Sequence, residues 1–307
     1  MDDDRSPARH RENLRIRAGV IQALRQFFID RHYLEVETPL RIPAPAPEIH
    51  IDAVPTGEWF LHTSPELCMK RLLAQGYERI FQISKCFRNG ERGDNHLSEF
   101  TLLEWYRAGI DYRDLMRECE DLFTAVGRFL GHEKALSYRG TRIDLTPPWR
   151  RITVREAFDL YSPVSLEEAL ATDCFDEMLA FHIEPRFNDG TPVILYDYPI
   201  SLGALARRKP DNPTVAERFE LYLGGLELAN AFSELTNVGE QRARFEEERR
   251  DRIRLGKVNY PMPEKFLQEL ESMPEAAGIA MGVDRLVMLF ADSTRIDDVV
   301  TFTPEEL

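Results

Sequence analysis

Residues 81–107 carry side chains that a plain core does not need. Arg88 precedes a loop holding Asn89, Gly90, Glu91, Arg92, Asp94, His96 and Leu97. Two alternating runs flank it. Phe81, Ile83 and Phe87 share one side before the loop, and Phe100, Leu102, Glu104 and Tyr106 share one face after it, because strand side chains alternate with period two. A hairpin of this kind displays an aromatic ring, a carboxylate and a phenol in a row, with an arginine just before its turn. That row suits the floor of a pocket for a nucleotide and a cationic substrate.

Residues 217–235 hold a second cluster. Gly224-Gly225 between two strand-like runs is a two-residue hairpin signal. In that register Leu223 faces Leu226 and Tyr222 faces Glu227, so Glu220 shares a face with Glu227 across a diagonal of about 7–8 Å. Two carboxylates on one sheet face repel unless something positive lies between them. Magnesium carried by a triphosphate fits, since it takes one or two carboxylates and completes its shell with phosphate and water; a glutamate face turned to solvent is the plainer alternative. Asn230, Phe232 and Glu234 share a face, with Glu227 out of phase, so one pocket for all four requires a bulge or strong twist.

Two shorter stretches add to these. In 277–290 a glycine-containing strand runs through Gly278, Ala280 and Gly282 into an apolar helix, with Arg285 in its first turn, where anions are favoured. Ser64-Pro65-Glu66 is a helix start: Ser as N-cap, Pro first, an acid in the first turn, then Leu67, Leu72 and Leu73 inward and Gly76 at the end. On that evidence Glu66 is a capping residue.

The elements that position these clusters are legible in outline. Residues up to about Arg11 are polar and loose. Ile16, Val20, Ile21, Leu24, Phe27 and Phe28 mark a helix over 14–29, and 33–39 alternates like a strand that stops at Pro39. Pro43, Pro45 and Pro47 punctuate an extended connection. Residues 112–130 form an amphipathic helix, and 193–199 a buried strand. The 140–190 stretch is mixed, and 241–255 is a charge-dense helix with a solvated face. The cluster Arg207-Arg208-Lys209 belongs to a solvated loop or touches phosphates.

With 43% hydrophobic residues the chain can bury a large core. Its charge, 39 basic against 53 acidic residues or −14, disfavours unaided nucleic-acid binding. No apolar run approaches a membrane span, and the start Met-Asp-Asp-Asp-Arg lacks a basic and an apolar leader region. Cys68, Cys86, Cys119 and Cys174 are scattered, as reduced thiols of a cytoplasmic protein would be.

Taken together, Phe87-Arg88-Asn89-Gly90-Glu91, His96-Leu97-Ser98-Glu99-Phe100 and Glu104-Trp105-Tyr106 resemble motif 2 of the class II aminoacyl-tRNA synthetases, most closely the lysyl branch. The 14–39 stretch resembles motif 1, Glu227, Asn230, Phe232 and Glu234 match the lysyl Glu-x-x-Asn-x-Phe-x-Glu, and 278–291 resembles motif 3. The whole is similar to the shortened lysyl-synthetase paralogs that attach (R)-β-lysine to elongation factor P. The resemblance implies an α+β class II catalytic fold, an antiparallel sheet flanked by helices. It would span 1–307 as one domain without the N-terminal OB-fold that reads anticodons, and form homodimers through motif 1. It further implies ATP and Mg2+ as cofactors, elongation factor P as acceptor, no stable tRNA binding and no membrane.

The site residues follow from the same resemblance. Arg88 and Arg285 would be catalytic, on the α-phosphate and substrate carboxylate and on the distal phosphates. Asn89, Gly90, Glu91, His96, Leu97, Phe100, Glu227, Leu228 and Gly282 would surround ATP, with adenine between Phe100 and Arg285, and Glu220 and Glu227 would hold magnesium. Ser64, Pro65, Glu66, Glu104, Tyr106, Asn230, Phe232, Glu234 and Ala280 would hold lysine or β-lysine. Two carboxylates and a phenol suit a buried ammonium. Ser64 and Ala280 stand where lysyl synthetases have alanine and glycine; a hydroxyl for a displaced amine and a methyl narrowing the α-lysine space favour the β isomer. Two positions depart. Gly90 replaces the motif 2 glutamate, so Glu91 would act through a shifted loop, and Leu97 replaces an asparagine, leaving adenine to main-chain groups. A minimal tRNA-charging enzyme and a non-catalytic regulatory paralog are the alternatives.

Overall fold

On either side of the strand Ala276–Gly282, the two alternating hairpins fold into one sheet. In the computed structural model, which describes residues 6–307, nine strands form it: β1 (Leu34–Glu35), β2 (Arg79–Phe87), β3 (Glu99–Ala108), β4 (Arg150–Thr153), β5 (Val193–Pro199), β6 (Arg208–Lys209), β7 (Asn212–Leu223), β8 (Leu226–Ser233) and β9 (Ala276–Gly282). Their order is β1-β2-β3-β9-β8-β7-β5-β4, with β6 paired to β7. Every pair is antiparallel except the outermost ones, β1 with β2 and β5 with β4.

One face of this sheet is the core. Phe81, Leu103, Trp105, Ile279, Met281, Ala229, Ala231, Phe219 and Leu221 point into it. Against them pack α1 (Pro7–Asp30), α3 (Tyr112–Phe129) and the apolar helix Val283–Phe290, which closes the sheet behind motif 3. The opposite face carries the side chains that alternate with these, and a wall formed by α2 (Glu66–Ala74) and the helix Glu264–Leu270 covers part of it with a second cluster. Residues 150–222 build a third cluster around Phe158, Phe187 and Tyr198 beside the far edge.

The helix of motif 1 begins earlier than its apolar spacing predicts. Ser6 caps Arg9 and Pro7 opens the helix, so the polar turn before Leu14 is helical and not loose. The first five residues, on which the absence of a leader was read, lie outside the described residues. The 33–39 alternation yields only a two-residue strand, because Val36 makes one further bond to Phe81 and the chain then turns away. In α2, Leu67, Met69 and Leu73 are buried while Leu72 is half-buried.

The helix over 241–255 runs from Val238 to Arg254 and is not wholly solvated. Arg252 is fully buried, donating to the carbonyls of Glu48, Ile51 and Val258 and to Asp52, and lying over the Tyr260 ring. The cluster at 207–209 is not a free loop, since each of its cations is paired. Arg207 pairs with Glu217 and Glu275, Arg208 with Glu240, and Lys209 with Asp197.

Arg17 ties the three motif regions together. Its guanidinium donates to Asp284 Oδ1 at 2.5 Å and to Thr101 Oγ1 at 2.8 Å, while Asp284 Oδ2 accepts the Thr101 N–H at 2.6 Å. Removing one partner of a buried ion pair leaves an uncompensated charge, at a cost of about 3–5 kcal/mol. Arg17→Met is therefore expected to lower the unfolding free energy by about that amount in urea denaturation; a loss below about 1 kcal/mol would mean that the Thr101 bonds alone support Asp284.

Candidate active site

Sheet register brings the distant motifs side by side. Gln82, Glu104, Ala280, Asn230 and Glu220 form one row across β2, β3, β9, β8 and β7, and Ile80, Tyr106, Gly278, Phe232 and Arg218 form the next. Glu227 joins this face through a bulge. Leu221 pairs with Ala229 and Tyr222 with Glu227, so Leu228 is the extra residue that resets the phase. The Gly224-Gly225 turn has φ of +58° and +75°, the left-handed pair that a tight two-residue hairpin needs. Close packing decides Gly278. A Cβ there would fall 2.2 Å from Tyr106 Cε1 and 2.4 Å from Glu234 Oε1.

The inner end of this face is a pocket of buried carboxyls. Ser64 Oγ donates to Glu104 Oε1 at 2.5 Å and Tyr106 OH to Glu104 Oε2 at 2.7 Å. The helix starts at Glu66 with Pro65 as its N-cap, so Ser64 is not the expected cap; its Oγ accepts the Glu66 N–H at 3.0 Å and so links the helix start to the carboxyl. Burial pushes Glu104 up to about 8, with the charge of Glu66 adding to it, and Glu234 likewise up to about 8 against the pull of Lys70. Tyr106 is raised well above its usual range by burial and by Glu104, so it stays a donor.

Lys70 is the part of this pocket that residue patterns did not reveal. Its Nζ lies 2.5 Å from Glu66 Oε1 and 2.5 Å from Glu234 Oε2, and 5.0 Å from the centroid of the Phe232 ring. The available signal was a lysine four residues after Glu66 and on the buried face with Leu67 and Leu73.

The outer end holds the arginines. Arg88 lies over the Phe100 ring at 5.0 Å, with Nη1 3.9 Å from Glu91, and its Nε is buried without a hydrogen-bond partner. Gly90, at φ +78°, turns the chain so that Glu91 reaches Arg88 one residue late. Arg285 donates to the Glu227 carbonyl (2.8 Å) and carboxylate (3.3 Å), to the Asn95 carbonyl (3.2 Å), and to His96 Nε2 (2.6 Å). Burial and the neighbouring Arg285 keep His96 below its ordinary value, neutral and accepting. The guanidinium on Phe100 is thus that of Arg88, while Arg285 braces the motif 2 loop. Leu97 and Leu228 are core side chains, so only their main chain can face a nucleotide. The Asn89 side chain is exposed, its N–H bonded to the Asp52 carbonyl, and Gly282 caps the helix that carries Arg285.

Glu220 does not face Glu227 across an open gap. Its Oε1 accepts from Arg218 Nη2, and Oε2 from the phenols of Tyr198 and Tyr222, each at 2.6 Å. Arg218 is the positive partner of Glu220, donating also to Asn230 Oδ1 at 3.0 Å, while the cation beside Glu227 is Arg285. Glu227 lies deep in the cleft but reaches water, its carboxyl raised by burial and by the charge of Glu220. A carboxylate has about four acceptor positions, so Glu220 keeps roughly one while Glu227 keeps most of its own. Among the described residues no three His, Cys, Asp or Glu side chains converge on one metal position. The donor set therefore fits a magnesium ion that arrives on phosphates, held first by Glu227.

This geometry can hold ammonium groups at one end and anions at the other. Comparison with known proteins agrees with its class. The chain is 38% identical over 96% of its length, and 97% of the relative's, to an elongation factor P–(R)-β-lysine ligase of Vibrio campbellii, and 39% identical to that of Edwardsiella ictaluri over 95% and 94%. It is also 38% identical to a lysine–tRNA ligase of Moorella thermoacetica, over 93% of this chain and 64% of that one. The family model for class II tRNA synthetases (D, K and N) matches residues 4–306, and the chain belongs to that family.

Proposed function

We propose that the protein is an ATP-dependent ligase that activates (R)-β-lysine and transfers it to a lysine of elongation factor P. The observation that carries this reading is the buried carboxyl pocket on the sheet's polar face, joined to an arginine with an unpartnered buried Nε. Glu66, Glu104 and Glu234 would take two ammonium groups, and Arg88 the substrate carboxylate and α-phosphate. In the first step a carboxylate oxygen attacks the α-phosphorus. A phosphorus–oxygen bond forms, the α–β anhydride breaks and pyrophosphate leaves. In the second step the ε-amine attacks the activated carbonyl, an amide forms, AMP leaves and the amine loses a proton.

Positioning and fixed charge supply the catalysis. Arg285, held by His96 and Glu227, would meet the distal phosphates, and Phe100 would carry the adenine. Glu227, with the remaining acceptor position of Glu220, would hold magnesium, which would supply charge neutralisation at the phosphates. Ser64, beside Glu104, would accept from an ammonium moved by one carbon, and the Ala280 methyl in the same row would crowd α-lysine. We further propose a homodimer through motif 1, where Ile29, Leu34 and Leu40 lie exposed, and a cytoplasmic setting, consistent with four free cysteines. No helix among the described residues is long and apolar enough to cross a membrane.

Three measurements test this. Intact mass of elongation factor P after incubation with enzyme, ATP, magnesium and either amino acid is expected to rise by one lysyl residue, preferentially with β-lysine. No gain despite adenylate formation would turn attention to tRNA, the acceptor named for the Moorella relative. In pyrophosphate exchange, Ser64→Ala with Ala280→Gly is expected to shift preference toward α-lysine by about tenfold, the scale of one good contact; an unchanged ratio would remove both positions from specificity. Diammonium binding requires ionised carboxyls, and burial raises Glu104 and Glu234 to about 8, so each is partly protonated near neutral pH. Binding should therefore release protons and strengthen as pH rises from 6 to 8. Calorimetry in buffers of different ionisation heat reads the release directly, and its absence would mean that Glu104 and Glu234 are already ionised.

A further inference from the structure

We propose that Lys70 is the fixed counter-ion of the amine pocket, a positioning residue that sets how many ammonium groups the pocket accepts. The inference rests on the pocket being the diamino-acid site. A lysine ordinarily carries its ammonium out to water along its own stem. Lys70 does not: it is 1% exposed and sits on α2 among Leu67, Met69 and Leu73. A methionine would fill that space without the desolvation cost of a buried ammonium.

What Lys70 touches accounts for the charge. Its Nζ bridges Glu66 and Glu234, joining the helix α2 to the residue that follows β8. Apart from that ion pair, neither oxygen of Glu234 has a hydrogen-bond donor. The carboxylate is thus held from one side with its remaining acceptor positions unfilled. Glu66, Glu104 and Glu234 bring three negative charges when ionised, and Lys70 cancels one. The remaining two match the two ammonium groups of lysine or its β isomer. Other groups act on the pocket from outside: the Tyr106 phenol beside Glu104, and Glu48, Arg88 and Arg218 at the loop side of Glu66.

Lys70 lowers the proton affinity of both Glu104 and Glu234. Without it, the two carboxyls would hold their protons to higher pH, and the substrate ammonium groups would have to displace them. The loss would fall on amino-acid binding and not on the phosphates, which meet the opposite end of the face.

The test is ATP–pyrophosphate exchange across pH 6–9.5 with lysine and with β-lysine, for wild type, Lys70→Met and Lys70→Arg. Lys70→Met is expected to raise KM for the amino acid about tenfold at pH 7, with kcat and KM for ATP changed far less. The acid limb of kcat/KM should move up by about one pH unit, which is that tenfold change. Lys70→Arg, which keeps the charge, should restore the limb. Should Lys70→Met fail to fold, Lys70→Gln carries the same comparison. A folded neutral variant with wild-type KM and pH profile overturns the inference, as does one that loses kcat and both KM values together without rescue by Arg. A wild type inactive with both amino acids overturns the functional reading and this inference with it, whereas an active wild type separates the two.

Discussion

A carboxylate cannot lie in a protein interior without donors or a counter-charge, and this fold buries two, Glu104 and Glu234, beside a third, half-buried Glu66. That constraint explains choices that otherwise look unrelated. Ser64 and Tyr106 each give Glu104 a hydrogen bond from opposite sides. Lys70 is buried although its helix face is otherwise apolar. Gly278 lacks a side chain because Tyr106 and Glu234 already fill the space above it. Each residue serves the acids first and the backbone second.

The acids in turn need a rigid floor, which the sheet supplies. A wide, mostly antiparallel sheet with one face in the core fixes the spacing of the residues on its other face. Arg17, Asp284 and Thr101 then lock the first helix, the hairpin and the last helix behind that floor. Arg88 and Arg285 are held more loosely, at the loop end, by Phe100, Glu91, His96 and main-chain carbonyls. The division is physical: the carboxyl pocket is built from strands and the start of α2, and the arginine end from strand ends and a loop.

Much of this was legible in the sequence, for reasons that can be named. Period-two alternation reported the polar face through Glu104, Tyr106, Asn230 and Phe232. The register of Gly224-Gly225 and the phase slip at Glu227 required the bulge that occurs at Leu228. What escaped was what depends on partners that local composition does not mark. Arg218 sits between Glu220 and Asn230, and its own strand does not announce a cation there. Lys70 looks like a surface lysine until Glu234 is placed beside it. Leu97 looks like a damaged nucleotide contact until it is found in the core. The polar turn before Leu14 and the charged helix at 238–254 misled in the same way, since a cap at Ser6 and a buried Arg252 leave little trace in local composition.

The single extra residue at Leu228 has a further consequence for how the gene can change. Strand faces work like a two-letter phase, and the bulge is where the hairpin changes phase. Deleting one codon there would either turn Glu227 into the hydrophobic layer or swing Asn230, Phe232 and Glu234 away from the cleft. Inserting one elsewhere in 217–234 would have the same effect. Substitutions can be absorbed along this hairpin, but its length in codons is bound to the parity of its faces, so drift there is confined to changes of letter and excludes changes of length.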